Sequence, residues 1–220
     1  MAVVSSAWKQ QKAKRFFPYE FMKERRFASP FLLPFRKRIC AMTDIVTTER
    51  LTLRLLELAD APALHAIAND FDMVKMTATW PWPVSLEFVE GKIRTFRERQ
   101  GPESYGCGIF LDDTLIGNMG GGVQPHPQTE EPSIWIGYMI GKNWWGQGLM
   151  TEALVALCEE LRKRLPPLEI YAEHHFDNPA SGRVMLKAGF VYDCPSPPLW
   201  CKARQESIPG ERYRFAPSGK

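Results

Sequence analysis

The residues with the sharpest chemical meaning lie in one short run, Asn143-Trp144-Trp145-Gly146-Gln147-Gly148. Glycines at 146 and 148 allow backbone angles and close approaches that side chains hinder. Leu149 then opens an apolar series with Ala153, Leu157 and Leu161 at four-residue spacing, which predicts a helix with one buried face. The first N–H groups of such a helix have no partner within it and point back into the turn. Together, turn and helix start make a seat for an anion, best filled by a phosphate or pyrophosphate. No Lys followed by Ser or Thr is present, so the run is not a triphosphatase P-loop. Nor is it a dinucleotide fingerprint, because Thr151 stands where the third glycine would be. Two glycines alone also fit a plain turn packed among aromatic residues.

Fewer residues could move protons. Glu130 and Glu131 precede one expected strand, and Glu173 ends the next. Any of them could act as a base if it reached its proton directly or through one water, and any could be an ordinary surface glutamate. Asn178 before Pro179 is a good helix cap, with Ser181 in the first turn behind it. His65, His126, His174 and His175 have no zinc-ligand spacing, and adjacent residues 174 and 175 would face opposite ways on a strand. The five cysteines, at 40, 107, 158, 194 and 201, include no CxxC pair. They suggest a reducing compartment; only Cys194 and Cys201 lie close enough in sequence to raise the question of a bridge. Cys158 falls on the apolar helix side as packing, and Tyr138 reads as aromatic core.

These groups need elements to hold them. A short strand runs from about Glu49 through Leu55, and Asp60 caps a helix containing Leu64 and Ile67. Trp80-Pro81-Trp82-Pro83 breaks the chain, and Ser85 caps a second helix with Phe88, Val89, Ile93 and Phe96 on one side. Strands 105–111 and 114–119 flank Asp112-Asp113, two residues suited to a hairpin. A polar loop from Gln124 to Pro132 leads to a strand at 134–140 and the glycine turn. Pro166 ends the long helix; then come a strand at 168–172, a helix at 179–187, a strand starting at Gly189, and a last strand near Arg212 to Phe215. This order predicts one α/β domain with a mixed sheet. The 80–83 segment and the 124–132 loop, both non-periodic, are the expected walls of an acceptor channel.

Composition bounds the rest. Of 220 residues, 45% are hydrophobic and 24% charged, as in ordinary globular proteins, and no apolar run is long enough to span a membrane. The net charge of +3 joins two unlike parts. Residues 1–41 carry +8 and residues 42–220 carry −5. The leader, with Trp8, Phe16, Phe17 and Tyr19 among its Lys and Arg, could be a targeting segment or a functional tail, or it could precede a natural start at Met42. The acidic remainder argues against nucleic acid as partner and is compatible with a cationic amine drawn by long-range attraction.

With these residues in view, the sequence resembles the GNAT superfamily of N-acetyltransferases over roughly Thr47 to Phe215. Within it, the sequence looks most like the subgroup that acetylates N-terminal amines of ribosomal proteins. The likeness is carried by Ile136-Gly137-Tyr138, Trp145 to Gly148, Thr151-Glu152-Ala153-Leu154 and the run from Asn178 to Phe190; Leu115-Ile116-Gly117-Asn118 resembles the hairpin strand beside the acyl site. The resemblance implies a mixed, mostly antiparallel central sheet with helices on both faces. Its splayed central strands would be 134–140 and 168–172, with pantetheine between them.

The resemblance also implies acetyl-CoA as donor, no metal, and transfer to a primary amine, either a protein N-terminus or a small amine. Backbone N–H groups at Gly146, Gly148 and the following turn would meet the coenzyme diphosphate. Ile140, Asn143, Trp145, Gln147, Leu149 and Met150 complete the expected contacts, and Asn178 would touch pantetheine. Ser181 becomes the candidate acid near sulfur, with Glu131 or Glu173 as base. Three departures stand out: Asn143 replaces the usual Arg or Gln, Trp135 occupies the place of a glutamate common in relatives, and Met185 that of a tyrosine. A cofactor-binding domain without catalysis is the alternative. The expected protein is cytoplasmic, monomeric or homodimeric, without a membrane partner; organelle targeting by 1–41 stays open.

Overall fold

The computed structural model describes residues 46–98, 105–165 and 167–216; the leader, Cys40, Met42 and Pro166 lie outside the described residues. Eight strands form one sheet: β1 (Val46–Thr47), β2 (Leu51–Arg54), β3 (Tyr105–Leu111), β4 (Thr114–Pro125), β5 (Pro132–Ile140), β6 (Ile170–His175), β7 (Phe190–Cys201) and β8 (Glu206–Phe215), in the order β1-β2-β3-β4-β5-β6-β8-β7. The helices are α1 (Ala61–Ala68), α2 (Phe71–Val74), α3 (Leu86–Glu98), α4 (Leu149–Arg164) and α5 (Pro179–Lys187). All neighbouring strands run antiparallel except β5 and β6. This is the mixed, mostly antiparallel GNAT-like sheet expected from the sequence, with helices on both faces.

Local chemistry explains most element ends. Asp112 and Asp113 both adopt positive φ, 45° and 63°, the left-handed pair that a two-residue hairpin needs and that Asp tolerates better than most residues. Ser85 Oγ accepts from Phe88 N at 3.1 Å, as its capping role predicts. Asp60 sits at the cap position of α1 but makes no capping bond there. Its carboxylate instead binds the Arg54 guanidinium at 2.8 and 2.9 Å and accepts from Glu57 N. An ion pair outcompetes the cap.

The helices divide between two cores. Leu149, Ala153, Leu157 and Leu161 of α4 are buried on one face of the sheet together with Ile134, Ile136 and Met185. On the other face, Leu64 of α1, Val89 and Ile93 of α3, Trp80 and Met139 form the second core. The layers hold the sheet on both sides.

Two regions differ from expectation. β4 continues to Pro125, which pairs with Pro132 of β5, so the anticipated 124–132 loop shrinks to a turn at 126–131. The final hairpin, β7 with β8, is far longer than the strands read near 189 and 212–215. Pro195, Pro197 and Pro198 disguise β7, since proline suits only edge strands and bulges. β7 is indeed an edge, with irregularities between Tyr192 and Cys194 and between Ser196 and Leu199. The four residues of α2 are too few to show a helical period. Cys107, Cys158, Cys194 and Cys201 are all free thiols.

One feature of the sheet matters most for function. β5 and β6 pair only at Ile134–Ile170, Trp135–Tyr171 and Ile136–Ala172. Past that point β5 follows β4 to Ile140 while β6 follows β8 to His175. The sheet opens into a V.

Candidate active site

The glycine turn lies beyond the end of β5, at the mouth of the V. Gly146 and Gly148 take φ of 75° and 77°, in the left-handed region where a side chain would be strained. Gly148 is also the cap residue of α4, and no side chain claims the first-turn N–H groups. The donors at Leu149, Met150 and Thr151 therefore face outward. Around them the turn is braced. Gln147 Nε2 donates to Asn143 O at 3.0 Å, Trp145 Nε1 to Ile140 O at 2.8 Å, and Arg50 Nη1 to Gln147 O at 3.1 Å. Arg50 is held in turn by Glu152 at 2.6 Å. The sequence reading missed Arg50, whose visible signal was Glu152, an acidic residue in the first turn of α4.

From this turn a cavity of about 1570 Å³ runs along the V to the opposite side of the sheet. Ile140, Trp145, Gly146, Gly148, Leu149, Met150 and Asn178 of the expected cofactor set line it. Asn143 and Gln147 do not; they shape the turn from outside. Asn178 is first a cap, its Oδ1 accepting from Ser181 N at 3.3 Å, and it borders the cavity as well. The cavity thus joins a helix start with unclaimed N–H groups to a gap between two strands.

Ser181 lines the same space, and its Oγ lies 2.8 Å from the Tyr138 hydroxyl. Tyr138 also donates toward Ser181 O at 3.2 Å. Burial pushes the Tyr138 phenol up, so it keeps its proton at neutral pH. When that proton points to Ser181 Oγ, the serine hydrogen is free to point into the cavity. The aromatic-core reading of Tyr138 is therefore incomplete: the ring packs against the α4 side while the hydroxyl joins the site.

The candidate bases separate. Glu131 is exposed in the β4–β5 turn, where only its backbone is engaged, and it does not border the cavity. Glu173 does border it. Register explains the placement. Trp135 is paired with Tyr171, so the next residue on that face of β6 is Glu173, beside side-chain-free Gly137 across the V. β6 thus offers a carboxylate close to where β5 has Trp135. Burial raises the Glu173 pKa, and Arg212, at 2.9 Å, opposes that rise without cancelling it. Arg212 itself is fully buried, lying 5.1 Å over the Trp135 ring and 3.2 Å from His126 Nε2. Burial and the Arg212 charge both lower the His126 pKa, which keeps that ring neutral.

On the far side the two expected wall segments contribute one residue each, Trp80 from 80–83 and Gln124 from 124–132, while Pro81, Trp82 and Pro83 stay outside and Thr79 joins the lining. The β7–β8 turn completes the wall. Lys202 N donates to Ala78 O, and Cys201 Sγ approaches Lys75 O at 3.3 Å. Among the described residues, no group of three or more His, Cys, Asp or Glu could hold a metal, and no helix is long and apolar enough to cross a membrane.

A mixed sheet opened between two parallel strands, with an anion seat at the mouth of the opening, is the architecture of transferases that use coenzyme A thioesters. The chain belongs to the acetyltransferase (GNAT) domain family, whose model matches residues 50–191. Among curated proteins it is similar to a ribosomal-protein-serine acetyltransferase of Escherichia coli (strain K12), 25% identical over 153 residues, which span 63% of this chain and 83% of that one. Among solved structures it resembles a ribosomal L7/L12 α-N-protein acetyltransferase in complex with coenzyme A, with TM-score 0.67, 19% identity, and 79% and 98% of the two chains covered. It also resembles the microcin C7 self-immunity acetyltransferase in complex with acetyl-CoA and AMP, with TM-score 0.61, 18% identity, and 76% and 92% covered. These structural likenesses establish the fold.

Proposed function

We propose that this protein transfers an acetyl group from acetyl-CoA to a primary amine, with a protein N-terminal amine as the first acceptor class to test. The observation that carries the reading is the V between β5 and β6, with a phosphate-suited turn at one end and Ser181 and Glu173 on its two sides. The sequence likeness to a ribosomal-protein-serine acetyltransferase supports the N-terminal preference.

The coenzyme supplies a thioester carbonyl when bound. The N–H groups of Gly148 to Thr151 hold its diphosphate, helped by the positive end of the α4 dipole. A backbone N–H of β5 faces the charge that develops on the carbonyl oxygen. Glu173, less acidic than an ordinary glutamate, takes the proton of the incoming amine. An α-amine with reference pKa near 8 needs less of this help than a lysine near 10.4. Ser181, donating from its Tyr138-supported hydroxyl, protonates the departing sulfur. Much of the acceleration comes from holding amine and carbonyl together.

The test pairs calorimetric acetyl-CoA binding with an acceptor screen using labelled acetyl-CoA and mass-spectrometric product detection. Binding followed by acetylation of α-amines is the expected result. Exclusive lysine acetylation would remove the N-terminal preference, and binding without transfer to any amine would make the protein a non-catalytic cofactor binder.

A further inference from the structure

The cavity carries an imbalance of charge on its acceptor side. Its carboxylates are matched: Asp72 by Lys75 and Lys142, Asp177 by Arg204, and Glu173 by Arg212. Four cations that line it, Lys92, Arg183, Lys187 and Lys202, make no ion pair among the described residues, and two of these, Lys92 and Lys202, stand beside the same ring, Phe88.

These two converge. The Lys92 ammonium, reaching from α3, sits 5.6 Å from the Phe88 ring centroid, and that of Lys202, from the β7–β8 turn, sits 5.1 Å from the same ring. Lys92 lies further within 5.2 Å of Trp80 and 5.9 Å of Phe96. Among the described residues its one hydrogen bond is to Thr79 Oγ1 at 3.1 Å, although an ammonium has three donors. Aromatic faces attract cations, but they do not neutralise two of them. Burial first, and then the charge of Lys202, brings Lys92 down to about 8, so it is still mostly charged at neutral pH. Lys202 is not a loose surface lysine, since its backbone N–H is bonded to Ala78 O at 3.1 Å. Two cations held around one ring, on the wall of a cavity whose own carboxylates are all engaged, are arranged for an anion from outside.

We propose that Lys92 and Lys202 seat a carboxylate of the acceptor, so that the substrate is an amine that also bears an acidic group; this rests on the acetyltransferase reading above. The inner wall would then select opposite to the outer charge. The net −5 of residues 42–220 favours a cationic approach, whereas the lysine pair favours an acidic group at the end of the path. A carboxylate can come from a small amino acid or from an acidic side chain near a peptide N-terminus.

The test measures acetyl transfer by the full chain to matched pairs. One arm sets short peptides with Asp or Glu near a free N-terminus beside their Asn or Gln twins. The other sets small amino acids beside their amides. The acidic member should lead by about tenfold in kcat/KM, through KM, the size of one charge-assisted hydrogen bond. The arm in which the lead occurs names the source. Lys92→Gln should erase it and Lys202→Glu should reverse it, both with acetyl-CoA affinity unchanged. If Lys92→Gln proves unfolded by thermal melting, the exposed Lys202 carries the test alone. Equal rates within every pair, or a lead that survives substitution, overturns the lysine seat while leaving acetyl transfer intact. No transfer to any amine by a chain that binds acetyl-CoA overturns both readings.

Discussion

The two sides of the V are built from different materials. On the α4–α5 side the site is mostly backbone: two left-handed glycines, the free N–H groups of one helix and the parted edges of two strands. On the α1–α3 side it is mostly side chains, gathered from α3, the 77–80 segment, β6 and the β7–β8 turn. A backbone site depends on conformation, so few residues can stand at its key positions. A side-chain site can be changed residue by residue while the sheet stays as it is. The donor would thus be fixed by the fold, and the acceptor by its furnishings.

That contrast can be broken most sharply at Gly148. Gly148→Glu places a carboxylate at the anion seat, and about 4 kcal/mol of repulsion at about 4 Å predicts a loss of acetyl-CoA affinity of about 10³-fold. Unfolding stability should fall only by about 1 kcal/mol, the strain of a left-handed non-glycine residue. Calorimetry beside thermal melting reads both, and unchanged affinity would remove the phosphate seat.

On the opposite side, Glu173→Gln should leave acetyl-CoA affinity intact and slow transfer by about 10²-fold, the lower end for a lost general base. A base must be unprotonated, and burial raises the Glu173 pKa. In the parent protein kcat/KM should therefore fall as pH drops through a value above the usual glutamate range, and the variant should lose that limb. A retained limb would assign the base elsewhere.

Ser181→Ala should have the smallest effect, about tenfold in single-turnover transfer at saturating substrates, because a thiolate is a fair leaving group and general-acid help sits at or below the low end of its range. Loss of affinity instead of rate would make Ser181 a positioning residue. Normal transfer would leave sulfur to another donor.

The same contrast explains what the sequence revealed. Gly146, Gly148, the four-residue spacing from Leu149 and the Asn178-Pro179 cap are local signals, and the structure places each in the element they imply. Ser181 and Glu173 were legible as candidates, but not their settings. The Tyr138 hydroxyl reaches Ser181 across 43 positions, and Arg212 reaches Glu173 across 39. Glu131 looked equal to Glu173 until the β4–β5 hairpin closed and put it outside the cavity. The proline-rich β7 hid a strand because its edge position, which tolerates those prolines, depends on the whole sheet order. Lys92 and Lys202 are 110 positions apart and meet only through Phe88.

The three residue pairs joining β5 to β6 have a further meaning. They make the sheet two sub-sheets, β1 to β5 and β6 to β8 with β7, hinged on a short seam and the α4 crossover. Regions joined by so few ladder bonds can open as separate cooperative units. A ligand lying in the V would act as a temporary strand, supplying rungs that the polypeptide omits. Donor binding would then stiffen the protein as well as load it.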